Sequence, residues 1–465
     1  MSQFIPLSEL KNNSRELSAV VCYQGSWNDK VYKTWGDFLE GTAILRRKIE
    51  SIGGDKWLLY CEDGWFFLLG MMALLQCKKE VMITANIGPA YIEEIKGDAP
   101  FFTDQVFSGH ESFTNTFHIP TLLSEKTETG NPGEIPLINS DESFAIFYTS
   151  GTTGKPKPVR QRIKEFEIDN PFILSKWGEE FYSRKLCCTV SQHHLYGFIF
   201  GMLLPFTAGI PFRTEMIRTP EEFKKLSDTG YFIITVPAFL KRAVETETPL
   251  NLKSPYILVS GGLLTPDVAE KVNRVFGVWP LEMYATTETS GIAWRQSCNG
   301  IEWIPFENAE LWLSENNCLC VRSAHIPDPA GFETSDLVKF LPNGRFILMG
   351  RLEWLVKIEE KRVSLLEMES RFEQSGLVAD SCVIPLEDRR QYLAAALVFN
   401  SEGKKKFNGL EKNEIDKFWR EYLLQYFENV LIPKKWRYLD ALPVDDQGKK
   451  KKADIELLFS GEDLA

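Results

Sequence analysis

A run of hydroxyl, glycine and lysine residues follows directly on an apolar stretch. FAIFY (144–148) has the pattern of a buried strand, and TSGTTGKPK (149–157) comes next. Glycine lets successive backbone N–H groups turn toward one point, and lysine adds positive charge, which predicts a loop that holds a polyphosphate. The alternative is a solvent-exposed turn, because the same residue types are common in turns. The phosphate-binding candidates are Thr149, Ser150, Gly151, Thr152, Thr153, Gly154, Lys155 and Lys157.

The same stretch does not have the spacing of a P-loop. That motif requires G-x-x-x-x-G-K-[ST]. Here Thr149 stands where the first glycine is needed, and Pro156 replaces the hydroxyl residue that would bind magnesium. Because proline also cannot open the same helix, the sequence excludes a P-loop kinase.

The elements that would position this loop follow a β–α–β order. Residues 64–78 (GWFFLLGMMALLQCK) predict an apolar helix. Buried strands are predicted at residues 56–62, 80–86, 144–150, 185–191, 231–237 and 256–262. This alternation predicts an α/β fold with a largely parallel sheet, in which ligands bind at the carboxyl ends of the strands.

The chain changes in character near residue 352. Beyond it charge rises, and a predicted strand (394–400) lies between helical patterns such as that of residues 412–428. We therefore expect a large domain over residues 1–352 and a small α+β domain over residues 353–465.

Composition and charge narrow the possible function classes. The net charge of −11 argues against a nucleic-acid binder. Nine cysteines without a C-x-x-C pair indicate reduced thiols in a cytosolic protein, and five histidines show no metal-ligand spacing. The N-terminus lacks the features of a signal peptide. The apolar run 195–212 contains three Gly and two Pro, which favours a buried helix followed by a turn over a membrane span.

TSGTTGKPK resembles the phosphate loop of the adenylate-forming superfamily. That group includes acyl-CoA synthetases, aryl acid ligases, luciferases and the adenylation domains of peptide synthetases. Further stretches resemble its motifs in the same order: HHLYG (193–197), VSGGLL (259–264), YATTE (284–288), FETSD (332–336), GRLEWLVKIEEKRVSLLEME (350–369) and LPVDDQGKKKK (442–452). The resemblance implies a large N-terminal domain with mostly parallel sheets flanked by helices, and a small mobile C-terminal domain.

The resemblance also implies roles for residues of the large domain. Gly261 and Gly262 would lie along the adenine, and Tyr284 would offer it a flat face. Thr287 would donate its hydroxyl to the α-phosphate, and Glu288 would bind Mg²⁺. Taken alone, SGG after a strand is a turn, and TTE could be a helix cap.

Toward the C-terminus, the resemblance places Asp336 at the ribose hydroxyls and Arg351 at the ribose or phosphate. Glu353 falls at the hinge about which the small domain turns. Lys449 falls at the catalytic lysine, for which the alternative is a solvated basic tail or a nucleic-acid patch. We expect Lys450 to Lys452 to be solvated charge.

The acid pocket is the least specified part of the site. The resemblance places His194 and Gly197 in its wall, with a structural histidine at a strand end as the alternative reading. Phe198, Trp294 and the surrounding apolar residues suggest an acyl or aromatic acid. Arg295 could meet a polar substituent or form only a surface ion pair.

The implied reaction has two steps. A carboxylic acid and MgATP give an acyl adenylate and pyrophosphate, and a thiol then displaces AMP. The sequence departs from the family at Glu360, which replaces the glycine of K-x-x-G-x-R near the thiol tunnel. This favours the phosphopantetheine of a carrier protein as the acceptor, with free CoA as the alternative. A non-catalytic nucleotide-binding relative is a further alternative, which the presence of Lys449 and Glu288 disfavours.

Overall fold

The structure is a computed structural model of the chain. It forms two compact units, of which the first comprises residues 1–301 and 324–327, and the second residues 302–323 and 328–465. The domain boundary expected at 352/353 stays a prediction. The structure describes residues 4–12, 15–107, 113–125, 135–150, 156–226, 229–286, 288–326, 328–352, 355–358, 361–388, 390–444 and 450–460.

The first unit contains two sheets with helices along them. Its strands are β1 (Val20–Gln24), β2 (Val31–Thr34), β3 (Lys56–Tyr60), β4 (Glu80–Thr84), β5 (Phe101–Thr103), β6 (Thr116–His118), β7 (Phe144–Ser150), β8 (Pro156–Arg162), β9 (Lys185–Cys188), β10 (Phe212–Arg213), β11 (Tyr231–Thr235), β12 (Tyr256–Val259), β13 (Leu281–Thr286) and β14 (Ser290–Arg295). Its helices are α1 (Trp35–Ile52), α2 (Gly64–Gln76), α3 (Pro89–Lys96), α4 (Ile119–Ser124), α5 (Asn170–Tyr182), α6 (Leu195–Phe198), α7 (Leu204–Ala208), α8 (Pro237–Ala243) and α9 (Pro266–Phe276).

Both sheets of this unit are largely parallel, as predicted. One has the order β6-β5-β3-β4-β7-β8 and is parallel except between β7 and β8. The other includes the order β14-β13-β12-β11-β9-β10-β1-β2 and is parallel from β13 to β1. Strands such as β3, whose Trp57, Leu58 and Leu59 are fully buried, read as continuous apolar runs because both faces of such a sheet are covered.

The apolar run over residues 195–212 is a buried helix followed by a turn, as predicted. It forms α6, a π-helical segment (Ile199–Leu203) and α7, and it ends where Gly209 adopts φ +71° and ψ +30°. A left-handed glycine of this kind is a common helix stop. Within the part of the chain that the structure describes, no helix has the length and apolar character needed to cross a membrane.

The second unit is built from shorter elements. Its strands are β15 (Ile304–Pro305), β16 (Glu310–Leu313), β17 (Cys318–Arg322), β18 (Phe332–Phe340), β19 (Phe346–Arg351), β20 (Leu355–Ile358), β21 (Lys361–Ser364), β22 (Val378–Glu387), β23 (Gln391–Phe399) and β24 (Lys435–Leu439). Its helices are α10 (Leu365–Gln374), α11 (Ser401–Lys406), α12 (Lys412–Leu423) and α13 (Lys452–Ser460).

The core of the second unit lies between β22–β23–β24 and the helices. On α12, Ile415, Trp419 and Leu423 are buried at four-residue intervals and form one face of this core. The periodicity predicted this helix, which ends at Leu423 rather than at residue 428. The predicted strand over residues 394–400 overlaps β23, which ends at Phe399.

Candidate active site

The predicted phosphate loop joins two antiparallel strands. β7 ends at Ser150 and β8 begins at Pro156, and these two residues are paired, as are Thr149 and Lys157. A P-loop instead connects a strand to a helix, so the hairpin agrees with the exclusion of a P-loop kinase. Residues 151–155 lie outside the described residues, and the phosphate contacts of the whole stretch stay predictions.

This hairpin leaves the sheet at the edge where the parallel strands end. β7 runs parallel to β4, with Tyr148 opposite Thr84, the last residue of β4. β3 lies on the other side of β4 and ends at Tyr60. The predicted loop therefore starts at the carboxyl edge of a parallel sheet, which is the edge where such sheets bind ligands.

The adjacent histidines at 193 and 194 differ in environment. His193 is buried, and its ring stacks on Tyr60 with centroids 4.3 Å apart and planes inclined by 4°. Its Nδ1 lies 2.7 Å from the Ser191 hydroxyl. Burial, aided by the neighbouring His194, lowers the pKa of His193 to about 3, so this ring is neutral at pH 7. His194 is half-buried and stands at the N-cap of α6.

Gly197 and Phe198 occupy tightly packed positions. A Cβ on Gly197 would lie 2.2 Å from the Ser191 carbonyl oxygen, so only glycine fits there. Phe198 is 1% exposed, and its ring lies 5.3 Å from Phe147 and 5.2 Å from Phe166 between centroids. Close packing is thus sufficient to account for glycine at 197 and phenylalanine at 198. The assignment of these two residues to the acid pocket stays a prediction.

Gly261 and Gly262 follow one strand, and Tyr284 lies on the neighbouring strand. The glycines follow β12, which runs parallel to β13, the strand that contains Tyr284. Gly261 has φ +85°, a conformation that favours glycine. The Ser260 hydroxyl donates to the Met283 carbonyl at 2.9 Å and connects the end of β12 to β13. The structure thus brings the predicted adenine-binding residues into one region of the first unit.

Hydrogen bonds brace the turn that contains Glu288. The turn joins β13 to β14, and the hydroxyls of Thr286 and Thr289 lie 2.9 Å apart across it. The Thr289 backbone N–H also donates to Thr286 Oγ1 at 3.2 Å. Glu288 is exposed between these residues, while Thr287 lies outside the described residues. A braced turn holds the Glu288 backbone in place and leaves its carboxylate open to a ligand.

A second set of contacts behind this turn was not predicted from the sequence. Ser290, whose φ is +58°, donates to Asp169 Oδ2 at 3.0 Å. His325 Nε2 lies 2.9 Å from the same oxygen, and the side chains of His325 and Asp169 are each 8% exposed. No local pattern reveals these contacts, because Ser290 and Asp169 are 121 residues apart in the sequence.

Trp294 and Arg295 are adjacent on β14, and their side chains make different contacts. Trp294 packs edge-on against Trp177 of α5, with ring centroids 5.7 Å apart. Arg295 forms a buried, two-bonded pair with Glu282, at 3.0 and 2.7 Å. Arg295 is thus neither a surface ion pair nor a residue with a free guanidinium for a substrate. The role of Trp294 in the acid pocket stays a prediction.

In the second unit, the structure brings Asp336 and Arg351 together. They stand opposite each other on β18 and β19, and Arg351 Nε donates to Asp336 Oδ1 at 3.0 Å. Asp336 is 8% exposed. The sequence assigned both residues to the ribose region, and their pairing agrees with a shared location, although ribose contact itself stays a prediction.

The prediction that Lys450 to Lys452 are solvated charge is wrong for Lys450. Lys450 was expected to be solvated charge, but its Nζ lies 3.1 Å from Glu369 Oε2 and 3.4 Å from Asp380 Oδ1. Lys451 is exposed, as expected. Glu353, Glu360 and Lys449 lie outside the described residues, and their roles stay predictions.

Comparison with known proteins assigns the family. A family model described as AMP-binding enzyme matches residues 59–311, more than half of the 465-residue chain. The chain belongs to the AMP-binding enzyme family. This confirms the predicted membership of the adenylate-forming superfamily and the prediction that the chain is an enzyme.

Sequence relatives of this AMP-binding enzyme are distant. Malpinin synthetase of Mortierella alpina is 23% identical over 376 residues, which is 70% of this chain but 5% of that protein. Tyrocidine synthase 3 of Brevibacillus parabrevis is 23% identical over 363 residues, 68% of this chain and 5% of that protein. The Humulus lupulus protein named Probable CoA ligase CCL5 is 24% identical over 392 residues, 74% of this chain and 69% of that protein.

Solved structures similar to this AMP-binding enzyme confirm the predicted fold class. ATP-bound MatB from Rhodopseudomonas palustris has a TM-score of 0.80 at 15% identity, covering 99% of each chain. The O-succinylbenzoate coenzyme A synthetase MenE from Bacillus subtilis, in complex with AMP, has a TM-score of 0.77 at 16% identity, covering 97% of this chain and 98% of that chain. At these identities the likeness shows the α/β fold alone.

Proposed function

We propose that this chain activates a fatty or aromatic carboxylic acid with ATP. The products of the first step are an acyl adenylate and pyrophosphate. In the second step the acyl group passes to the phosphopantetheine thiol of a carrier protein, and AMP leaves. Membership of the AMP-binding enzyme family carries this proposal, and the positions of the predicted loop, Tyr284 and Glu288 at strand ends of the first unit support it.

The described residues fit a magnesium–nucleotide complex better than a protein-bound metal centre. Among them, no group of three His, Cys, Asp or Glu side chains could hold a metal ion. Mg²⁺ commonly binds through one or two carboxylates together with substrate phosphates, and the exposed Glu288 offers one such carboxylate. When bound, Mg²⁺ would screen the phosphate charge during attack.

The remaining residues of the proposed site bind and orient the reactants. Negative charge grows on the α-phosphate during attack, so donors fixed there lower the barrier. Thr287 and Lys449 would supply these donors, and the stretch from Thr149 to Lys157 would hold the departing pyrophosphate. A carboxylic acid is already ionised at neutral pH, so the first step needs no general base.

Isotope exchange tests the first step. Labelled pyrophosphate should enter ATP only when the correct acid is present, and the panel would contain aliphatic, hydroxy-aliphatic and benzoic acids. Exchange with one acid class would identify the substrate class. Absence of exchange across the panel would refute adenylation and leave the non-catalytic alternative.

Free CoA is a second candidate acceptor, favoured by the similarity to a protein named as a CoA ligase over 69% of its length. The carrier-protein proposal depends on Glu360, whose carboxylate adds bulk and negative charge where the family has glycine. AMP release should therefore be faster with a phosphopantetheinylated carrier protein than with CoA.

Variants at this position sharpen the test of the acceptor. Glu360→Gly should increase the rate with CoA, and Glu359→Gly serves as the matched control because it removes the same charge one residue away. A wild-type enzyme that prefers CoA would overturn the carrier assignment, while leaving the adenylation step untouched.

A further inference from the structure

Lys450 is surrounded by oxygen acceptors in the second unit. Its Nζ lies 3.1 Å from Glu369 Oε2 and 3.4 Å from Asp380 Oδ1, and it donates a hydrogen bond to the Ser381 carbonyl oxygen. Burial, the largest single effect, lowers the pKa of Lys450, but the Glu369 and Asp380 carboxylates together outweigh it and raise the pKa above its usual value. These acceptors therefore hold the amine as a cation, although 31% of the Lys450 side chain is exposed.

Glu369 connects the Lys450 amine to a helix and a strand of the second unit. The residue lies on α10, and its second oxygen, Oε1, accepts a hydrogen bond from the Val383 backbone N–H at 2.8 Å. Val383, Asp380 and Ser381 all belong to β22. One carboxylate thus joins a helix, a strand and Lys450. Because Ser381 is fully buried, the anchor point itself is rigid.

Backbone contacts fix the chain on both sides of residues 445–449. Val444 and Lys450 form an antiparallel bridge, and the Lys451 N–H donates to the Pro443 carbonyl at 3.0 Å. After these contacts α13 begins, and its Ile455 and Phe459 are buried. Consecutive Cα atoms are about 3.8 Å apart. Lys450 is thus fixed, and Lys449 is the residue that adjoins it in the sequence.

We propose that Lys450 is a positioning residue, whose ion pairs with Glu369 and Asp380 hold the adjoining Lys449 in place for adenylation. This inference rests on the proposed function, which assigns Lys449 to the reaction. Lys450 contributes no group to the reactants, because its amine is taken up by oxygens of its own unit. The lysine run therefore combines a reacting residue, an anchor and exposed charge.

Amine labelling of the intact protein tests the anchor without any assay of activity. An amine-reactive ester modifies unprotonated, accessible lysines, and mass spectrometry reports the extent of modification at each position. Lys450 should be protected and the exposed Lys451 should be labelled. Glu369→Gln should increase labelling of Lys450 and leave that of Lys451 unchanged. Equal labelling of the two lysines in the wild-type protein would overturn the anchor.

Kinetics test the positioning role. Lys450→Met should lower kcat for pyrophosphate exchange by about 100-fold, as expected for a reacting group misplaced by about 1 Å. KM for ATP should change less than kcat, because Lys449 acts mainly in the transition state. Lys450→Arg keeps the cation and should recover most of the rate, while Lys451→Met is the matched control.

The outcomes separate this inference from the proposed function. A folded Lys450→Met enzyme with wild-type kcat would overturn the positioning role. If that variant does not fold, Glu369→Gln supplies the same comparison, and wild-type kcat would again overturn it. If Lys449→Ala retains exchange activity, the proposed role of Lys449 fails, whereas the labelling result still reports on the Lys450 anchor.

Discussion

Two pairs of identical neighbouring residues, His193–His194 and Lys450–Lys451, lie in different units of the molecule. In each pair the two residues have different surroundings. In the first unit, His193 is buried against Tyr60, while His194 is half-buried at the start of α6. In the second unit, Lys450 is held by carboxylates, while Lys451 is exposed. In both pairs one residue supports the structure and its neighbour is more open to solvent or substrate.

His193, which is buried, and Lys450, whose side chain is 31% exposed, differ in charge, and the difference shows what their neighbours do. His193 is packed against aromatic rings, so burial lowers its pKa to about 3 and the ring stays neutral. Lys450 faces Glu369 and Asp380, and these carboxylates raise its pKa although partial burial opposes them. A buried site therefore selects the neutral form unless it also supplies opposite charge.

The largest expected effect distinguishes the lysines by activity. Lys449→Ala should lower pyrophosphate exchange by about 100- to 1000-fold, as when one transition-state donor is removed. Lys451→Ala should keep near wild-type activity, because its side chain is exposed. Exchange rates of both purified variants check this. Equal rates for the two variants would remove the distinction between the lysines.

The next effect concerns the anchor. Glu369→Ala leaves the partly exposed Lys450 amine with Asp380 and the Ser381 carbonyl, and should cost about 2 kcal/mol in the free energy of unfolding. Urea denaturation measures this change. Glu367→Ala, on the same helix but exposed, is the control and should change stability by less than about 0.5 kcal/mol. A similar loss in both variants would contradict the anchor.

The third effect is a pH dependence of the free energy of unfolding, caused by His193. The unfolded chain binds a proton at this residue below its ordinary pKa of 6.5, whereas the folded chain does so only near pH 3. Stability should therefore fall as pH decreases below 6.5, by about 2 kcal/mol at pH 5 relative to pH 8. His193→Phe keeps an aromatic ring and should lack this part of the loss. Identical losses in both proteins, measured by urea denaturation, would show that His193 is not the cause.

The smallest effect concerns His194. His194→Ala should change the free energy of unfolding by less than about 0.5 kcal/mol, since the side chain is only half-buried. If His194 contacts the acid, KM for the acid should rise by about fivefold, the equivalent of about 1 kcal/mol for one hydrogen bond. A large loss of stability without a change in KM would reverse the roles given to the two histidines.

The local sequence pattern was sufficient to predict most of the strands and helices named in the sequence analysis. The predicted strand at residues 144–150 coincides with β7, and the predicted helix at residues 64–78 contains α2. These elements follow from side-chain periodicity and stop signals, which lie within a few residues of one another. The ordered motifs likewise identified the family, because each is a short contiguous stretch.

The sequence by itself thus determined the α/β class, the family and the candidate residues of the site. Only the tertiary structure decided which of two like neighbours is less exposed, that Arg295 pairs with Glu282, and that Ser290 donates to Asp169. The physical reason is that burial and pairing depend on partners that are distant along the chain. Lys450 and Glu369, for example, are 81 residues apart in the sequence and 3.1 Å apart in the folded protein.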